Sequence, residues 1–162
     1  MKNLWAPWRI TYLKEKDRDR GCVFCRKVRR NLDQKEHVIH RGRKNYVVLN
    51  KYPYNNGHLM IVPYRHTAQL ESLSEAEIAE MMLFLKKGIR ILKKTYRPQG
   101  FNWGMNLGKS AGAGIAGHLH LHLIPRWEAD TNFLQAIAEV RCLPQHLEAT
   151  WKELKKNWRK SS

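Results

Sequence analysis

Within the run Gly117–Arg126, polar and apolar residues alternate strictly from His118 to Leu123, with His118, His120 and His122 interleaved with Leu119, Leu121 and Leu123. That period predicts a half-buried β-strand. Residues two apart then share a face about 6 to 7 Å apart, at roughly 3.3 Å of rise per residue. The leucines are expected in the core, and the three imidazoles in register on the other face. Shorter strand patterns lie at His37–His40, at Tyr46–Asn50 and at His58–Pro63, separated by the turn Arg41-Gly42-Arg43 and the loop Pro53–Gly57. Phe101–Leu107 reads as another strand, and the short connections imply an antiparallel meander.

The period changes after Leu73. Ser74-Glu75-Ala76-Glu77 is a capping box flanked by Leu73 and Ile78 in the positions of a hydrophobic staple. Ile78, Met81, Met82, Leu85, Ile89 and Leu92 recur at helical spacing until Pro98-Gln99-Gly100 stops the helix. Residues near Asn132–Ala138 are expected to be helical. A last helix from about Pro144 carries Leu147, Trp151, Leu154 and Trp158 on one stripe. The chain reads as one domain, with an N-terminal arm over 1–21, a core over 22–127 and a helical extension over 128–162.

Composition narrows the class. At 162 residues and 43% hydrophobic, the chain can bury a core, and its apolar runs are too short to span a bilayer. No apolar segment marks the N-terminus for secretion, so a cytoplasmic location is expected. Thirty basic residues against 14 acidic ones give a formal charge of +16. Such an excess favours anionic partners, whether polyphosphate ligands, nucleic acid or a membrane surface, and does not choose among them.

Two features carry chemistry. The first is the histidine row, entered from the glycine-rich run Gly108-Lys109-Ser110-Ala111-Gly112-Ala113-Gly114, where imidazoles would stand beside a phosphate-sized hollow. The second is Cys22-Val23-Phe24-Cys25, a C-x-x-C that suggests metal or redox chemistry and needs two more ligands to make a zinc site. Cys142 stands alone and is expected to be buried and inert.

His118-Leu119-His120-Leu121-His122-Leu123-Ile124 resembles the signature of the histidine triad (HIT) family. The similarity extends to Leu49-Asn50, to Asn56-Gly57-His58-Leu59-Met60-Ile61-Val62-Pro63 and to Asn106 with its glycine-rich loop. Leu4-Trp5-Ala6-Pro7-Trp8-Arg9, Pro125-Arg126-Trp127, Asp130, Asn132 and Phe133 look like the diadenosine tetraphosphate phosphorylase-like branch. The resemblance implies an α+β fold built on a five-stranded antiparallel sheet with one long helix and a C-terminal helical extension. It also implies a homodimer that binds nucleotides.

The same resemblance assigns roles. His120 would be the nucleophile at the α-phosphorus, His122 a donor to a phosphate oxygen, and His58 an orienting group. Asn106, Ser110, Gly112 and Gly114 would hold the phosphate, Asn50 the ribose, and Phe24 and Val48 the base, with Trp127 available to stack a second one. Cys22, Cys25, His66 and His118 would form a closed structural zinc site. One position departs from the family pattern: many HIT hydrolases carry a glutamine four residues before the first triad histidine, where this chain has Gly114. The missing amide leaves room for inorganic phosphate as acceptor in place of water. The expected reaction is cleavage of dinucleoside polyphosphates, diadenosine tetraphosphate first among them. The rivals are a phosphoramidate or monophosphate-ester hydrolase of the same family, a basic nucleic-acid-binding module and a purely structural zinc protein.

Overall fold

A computed structural model describes residues 21–30, 32–128, 130 and 143–161. The aromatic arm with Trp5, Trp8 and Tyr12, the expected helix at 132–138 and Cys142 lie outside them. Within this range the element order is α1 (Val23–Arg30), β1 (Val38–Arg41), β2 (Asn45–Leu49), β3 (Leu59–Pro63), α2 (Glu75–Tyr96), β4 (Gly100–Gly104), β5 (Leu121–Arg126) and α3 (Leu147–Lys160).

The five strands form one antiparallel sheet in the order β1-β2-β3-β5-β4. The first three make the expected meander. The long helix then carries the chain over the sheet to β4 at the edge, and β5 returns between β4 and β3. This places His122 opposite Met60 in the register, so the histidine strand is internal and its backbone polar groups are paired on both sides.

Strand alternation divides the core in two. Val47, Leu49, Leu59, Ile61, Leu119, Leu121 and Leu123 pack under α2 and α3 together with Trp151, Leu154 and Trp158. On the opposite face Tyr46, Val48, Met60 and Val62 meet Phe24 of α1. Each of these side chains contributes about 1.5–3 kcal/mol by leaving water. The stripe read on the last helix thus packs within the chain, with Leu147 partly buried against the same cluster.

Helix α2 starts with the capping box: the Ser74 hydroxyl accepts from Glu77 N–H, and the Glu77 carboxylate accepts from Ser74 N–H at 2.7 Å. Its buried stripe is Met81, Phe84, Leu85, Gly88, Ile91 and Leu92. Ile78, expected inside, is 40% exposed; with Phe84 and Ile91 seated, the buried arc turns away from it. At Gly88 the helix comes so close to β5 that an added Cβ would lie 2.9 Å from Leu123 Cδ2.

Three boundaries differ from the sequence reading. A helix not expected from the sequence, α1, follows directly on Cys22 and contains Cys25; at two turns its apolar face is too short to stand out as a period. The strand expected to run to Leu107 ends at Gly104. His118 and His120 precede the β5 ladder, and only His122 lies within it. Ahead of the ladder, Leu119 N–H donates to Thr67 O at 2.7 Å, a bond outside the regular pairing, and Leu119 packs in the same core as Leu121 and Leu123. The even/odd facing therefore persists although the strand has not begun. Among the described residues, no helix is long and apolar enough to cross a membrane.

Candidate active site and metal centre

The four expected metal-binding residues converge. Cys22 immediately precedes α1, its carbonyl accepting from Arg26 N–H at 3.1 Å, and Cys25 lies in the first turn of the helix, so the two sit one turn apart. His66 comes from the segment after β3, and His118 from the approach to β5. The His118 Nδ1 atom lies 3.2 Å from Cys22 Sγ, 3.6 Å from Cys25 Sγ and 3.2 Å from His66 Nδ1, and Cys25 Sγ is 3.4 Å from His66 Nδ1. Tetrahedral zinc with the usual bond lengths would separate its ligand atoms by about 3.3–3.8 Å.

The tautomer agrees with that geometry. His118 Nε2 is 2.9 Å from Pro63 O. A carbonyl only accepts, so the ring proton sits on Nε2 and Nδ1 offers a lone pair to the cluster. Both cysteines are free thiols. The set is two sulfurs and two imidazole nitrogens, all within 4.8 Å of one another: it fits a metal ion.

The other two histidines of the row meet His58. His120 Nδ1–H donates to the carbonyl of His118 at 2.9 Å, which leaves its Nε2 unprotonated and nucleophilic. The His120 ring lies 4.7 Å from that of His122 and 5.0 Å from that of Phe24, centroid to centroid. His58, with no exposed surface, places Nε2 2.8 Å from His122 Nδ1. The Tyr54 ring lies 4.8 Å from the His58 ring and 5.9 Å from the His122 ring. His122 Nε2 is buried, with no hydrogen-bond partner among the described residues.

Burial pushes the His120 imidazole below its ordinary range, partly opposed by its bond to the His118 carbonyl. Burial, with His120 alongside, pushes His122 down to about 4. Both rings are therefore neutral near pH 7.

The remaining expected residues are placed unevenly. Asn106, Ser110, Gly112 and Gly114 share the loop between β4 and β5, with Asn106 Nδ2 3.5 Å from Gly112 O. Gly112 adopts φ +88°, and its N–H donates to Lys109 O while that of Ala113 donates to Gly108 O. The Gly112 amide, expected to face phosphate, is thus spent closing the turn together with that of Ala113. Phe24 and Val48 are buried in the small core. Phe24 lies under His118 and His120, so it supports the imidazoles from below. Trp127 is tied to the end of α2 through its Nε1–H and Tyr96 O, 3.2 Å apart, and among the described residues no hydrogen bond or ring contact joins it to the histidines.

Asn50 sits beside His58: its Oδ1 accepts from Tyr52 N–H at 3.0 Å, and its Nδ2 is 3.3 Å from His58 Nδ1. Sequence reasoning missed Tyr54, whose N–H also reaches His58 Nδ1, at 3.1 Å. Its contribution comes from a backbone group and a loop turn, which no side-chain pattern signals.

A family model for the HIT domain matches residues 31–129. The chain belongs to the HIT family. It is 42% identical over 165 residues to the AP-4-A phosphorylase of Mycobacterium tuberculosis, covering 98% of this chain and 85% of that protein. Among solved structures, a hypothetical histidine triad nucleotide-binding protein from Sulfolobus tokodaii superposes with a TM-score of 0.69 at 26% identity, covering 86% of this chain and 93% of the other. A zinc-bound histidine triad protein from Mycobacterium smegmatis superposes with a TM-score of 0.71 at 24% identity, covering 87% and 95%.

Proposed function

We propose that this HIT protein cleaves dinucleoside polyphosphates, diadenosine tetraphosphate foremost, by nucleotidyl transfer through His120. The observation that carries the reading is the bond from His120 Nδ1–H to the His118 carbonyl. It fixes the tautomer that presents an Nε2 lone pair, and burial keeps the ring neutral. Nε2 attacks the α-phosphorus and the P–O bond to the leaving nucleoside triphosphate breaks. His122 Nε2–H donates to a phosphate oxygen as negative charge builds. An acceptor then displaces His120 from phosphorus.

The acceptor we favour is inorganic phosphate, giving ADP plus ATP. Supporting this, a Cβ added at Gly114 would meet nothing within 4 Å, and its φ lies outside the left-handed range. Neither packing nor backbone therefore demands glycine there, and the space serves a bulkier acceptor than water. The 42% identity to an AP-4-A phosphorylase points the same way.

We further propose that zinc occupies the Cys22, Cys25, His66 and His118 cluster, where it would tie α1 to the approach of β5. Four protein ligands leave no open position, so its contribution is structural. A homodimer is the proposed assembly, formed along the β4 edge, where Trp103 is 57% exposed. The deciding experiment is product analysis of diadenosine tetraphosphate with and without inorganic phosphate. ATP plus ADP that require phosphate support the phosphorylase. ATP plus AMP regardless of phosphate refute the inference from Gly114, and no cleavage refutes the substrate and turns attention to phosphoramidates.

A further inference from the structure

We propose that Asn50 is a positioning residue that, acting through His58, fixes the proton of His122 on Nε2. This rests on the reading of His122 as the donor to phosphate, and it concerns a residue two hydrogen bonds removed from that atom.

Asn50 Oδ1 accepts from Tyr52 N–H at 3.0 Å, which sets the amide with Nδ2 pointing towards His58 Nδ1, 3.3 Å away. An amide NH2 group only donates. Tyr54 N–H, also only a donor, lies 3.1 Å from the same atom. Two donors converge on His58 Nδ1, so that atom carries the lone pair and the proton of the neutral ring is on Nε2. His58 Nε2–H therefore donates to His122 Nδ1 across 2.8 Å. His122 Nδ1 is thus the acceptor, and in the neutral ring its proton must lie on Nε2. Burial disfavours the alternative of a doubly protonated His122. The buried Nε2–H, without a partner of its own among the described residues, is left as a donor. Each tautomer follows from the one before it, and the series begins at side-chain and backbone groups that do not titrate.

Asparagine is specifically required by this account. Aspartate has the same shape and can still accept from Tyr52 N–H, but it cannot donate to His58. A carboxylate draws the His58 proton to Nδ1, because a charge-assisted bond outweighs the neutral one from Tyr54. His58 Nε2 then becomes an acceptor, His122 Nδ1 takes the proton, and His122 Nε2 turns from donor to acceptor. A role limited to ribose contact makes no such demand.

The test is ring-nitrogen NMR on 15N-histidine-labelled full-length protein at pH 8, wild type and Asn50→Asp, with steady-state kinetics alongside. Wild type is expected to show pyrrole-type Nε2 and pyridine-type Nδ1 on both His58 and His122. In Asn50→Asp the His122 assignment should invert, and kcat should fall about 10²-fold, the usual worth of one positioned proton donor, while KM changes little. A wild-type His122 protonated on Nδ1 overturns the proposal. So does an Asn50→Asp variant whose His122 nitrogens are unchanged, including one that only raises KM as a lost ribose contact would. If the wild-type protein fails to cleave the dinucleotide, the assigned reaction fails, while the ring-nitrogen result still decides the role of Asn50.

Discussion

His118 bonds His120 through its backbone and faces the cysteines through its ring: its carbonyl accepts the His120 Nδ1–H at 2.9 Å while its own Nδ1 lies 3.2 Å from Cys22 Sγ. The proposed metal centre and the proposed nucleophile therefore share one residue. His118 and His120 stand outside the β5 ladder, so the proposed nucleophile is held through its neighbours by Leu119 N–H to Thr67 O, His118 Nε2–H to Pro63 O and the cluster at His118 Nδ1.

Removing the cysteine half of the cluster should loosen that hold. The double substitution Cys22→Ser with Cys25→Ser is expected to reduce bound zinc from one per chain to none by elemental analysis. It should lower Tm and reduce kcat without changing the bond being cleaved. Adding zinc should raise the Tm of metal-stripped wild type and leave that of the variant unmoved, because an ion stabilises only the fold that binds it.

His58 should matter for both rate and stability. Its Nε2–H satisfies His122 Nδ1, and its Nδ1 satisfies Tyr54 N–H. His58→Ala strands both groups in a buried site, at a cost of about 1–3 kcal/mol each where water cannot enter. Denaturant unfolding should register the loss, and kcat should fall about 10²-fold as His122 loses its orientation.

The pH dependence of stability has a definite sign. Burial lowers the folded-state value of His122 from 6.5 to about 4. In that window the unfolded chain binds a proton that the folded chain does not. Stability from this group is complete above pH 6.5 and is lost as pH falls towards 4. A plot of Tm against pH should therefore slope less steeply between these values for His122→Asn than for wild type. Equal slopes would show that His122 does not carry the effect.

Gly88 tests the packing that sets β5 in place. An added Cβ already lies 2.9 Å from Leu123 Cδ2, and a branched side chain has no room between α2 and the sheet. Gly88→Val should lower the urea midpoint, with a loss of about 1–3 kcal/mol from overpacking. An unchanged midpoint would mean that the helix rides higher over Leu123 than described.

Much of this was legible in the chain. The alternation at 118–123 correctly separates Leu119, Leu121 and Leu123, in the large core, from the histidines on the other face. The Ser74–Glu77 box marks the start of α2, because capping is a local interaction written in four consecutive residues. The four metal-binding candidates came from family resemblance, since nothing in spacing alone joins residues 22 and 118. Helix α1 was missed because it is only two turns long: its apolar face is Val23, Phe24 and Val28 set among four cations, too short a run to stand out as a period. The exposure of Ile78 depends on where α3 and the sheet meet α2, a tertiary fact. The donors converging on His58 come partly from backbone, which carries no sequence signal.

The central claim is covalent transfer through His120, and the most direct measurement is to trap it. Wild-type protein would be mixed with excess diadenosine tetraphosphate without phosphate, denatured at alkaline pH within the first turnover and mapped by mass spectrometry. The account predicts one adenylyl group on His120, absent from His120→Asn, whose turnover is abolished while nucleotide binding persists. An adduct on another residue, or undiminished turnover by His120→Asn, would contradict it.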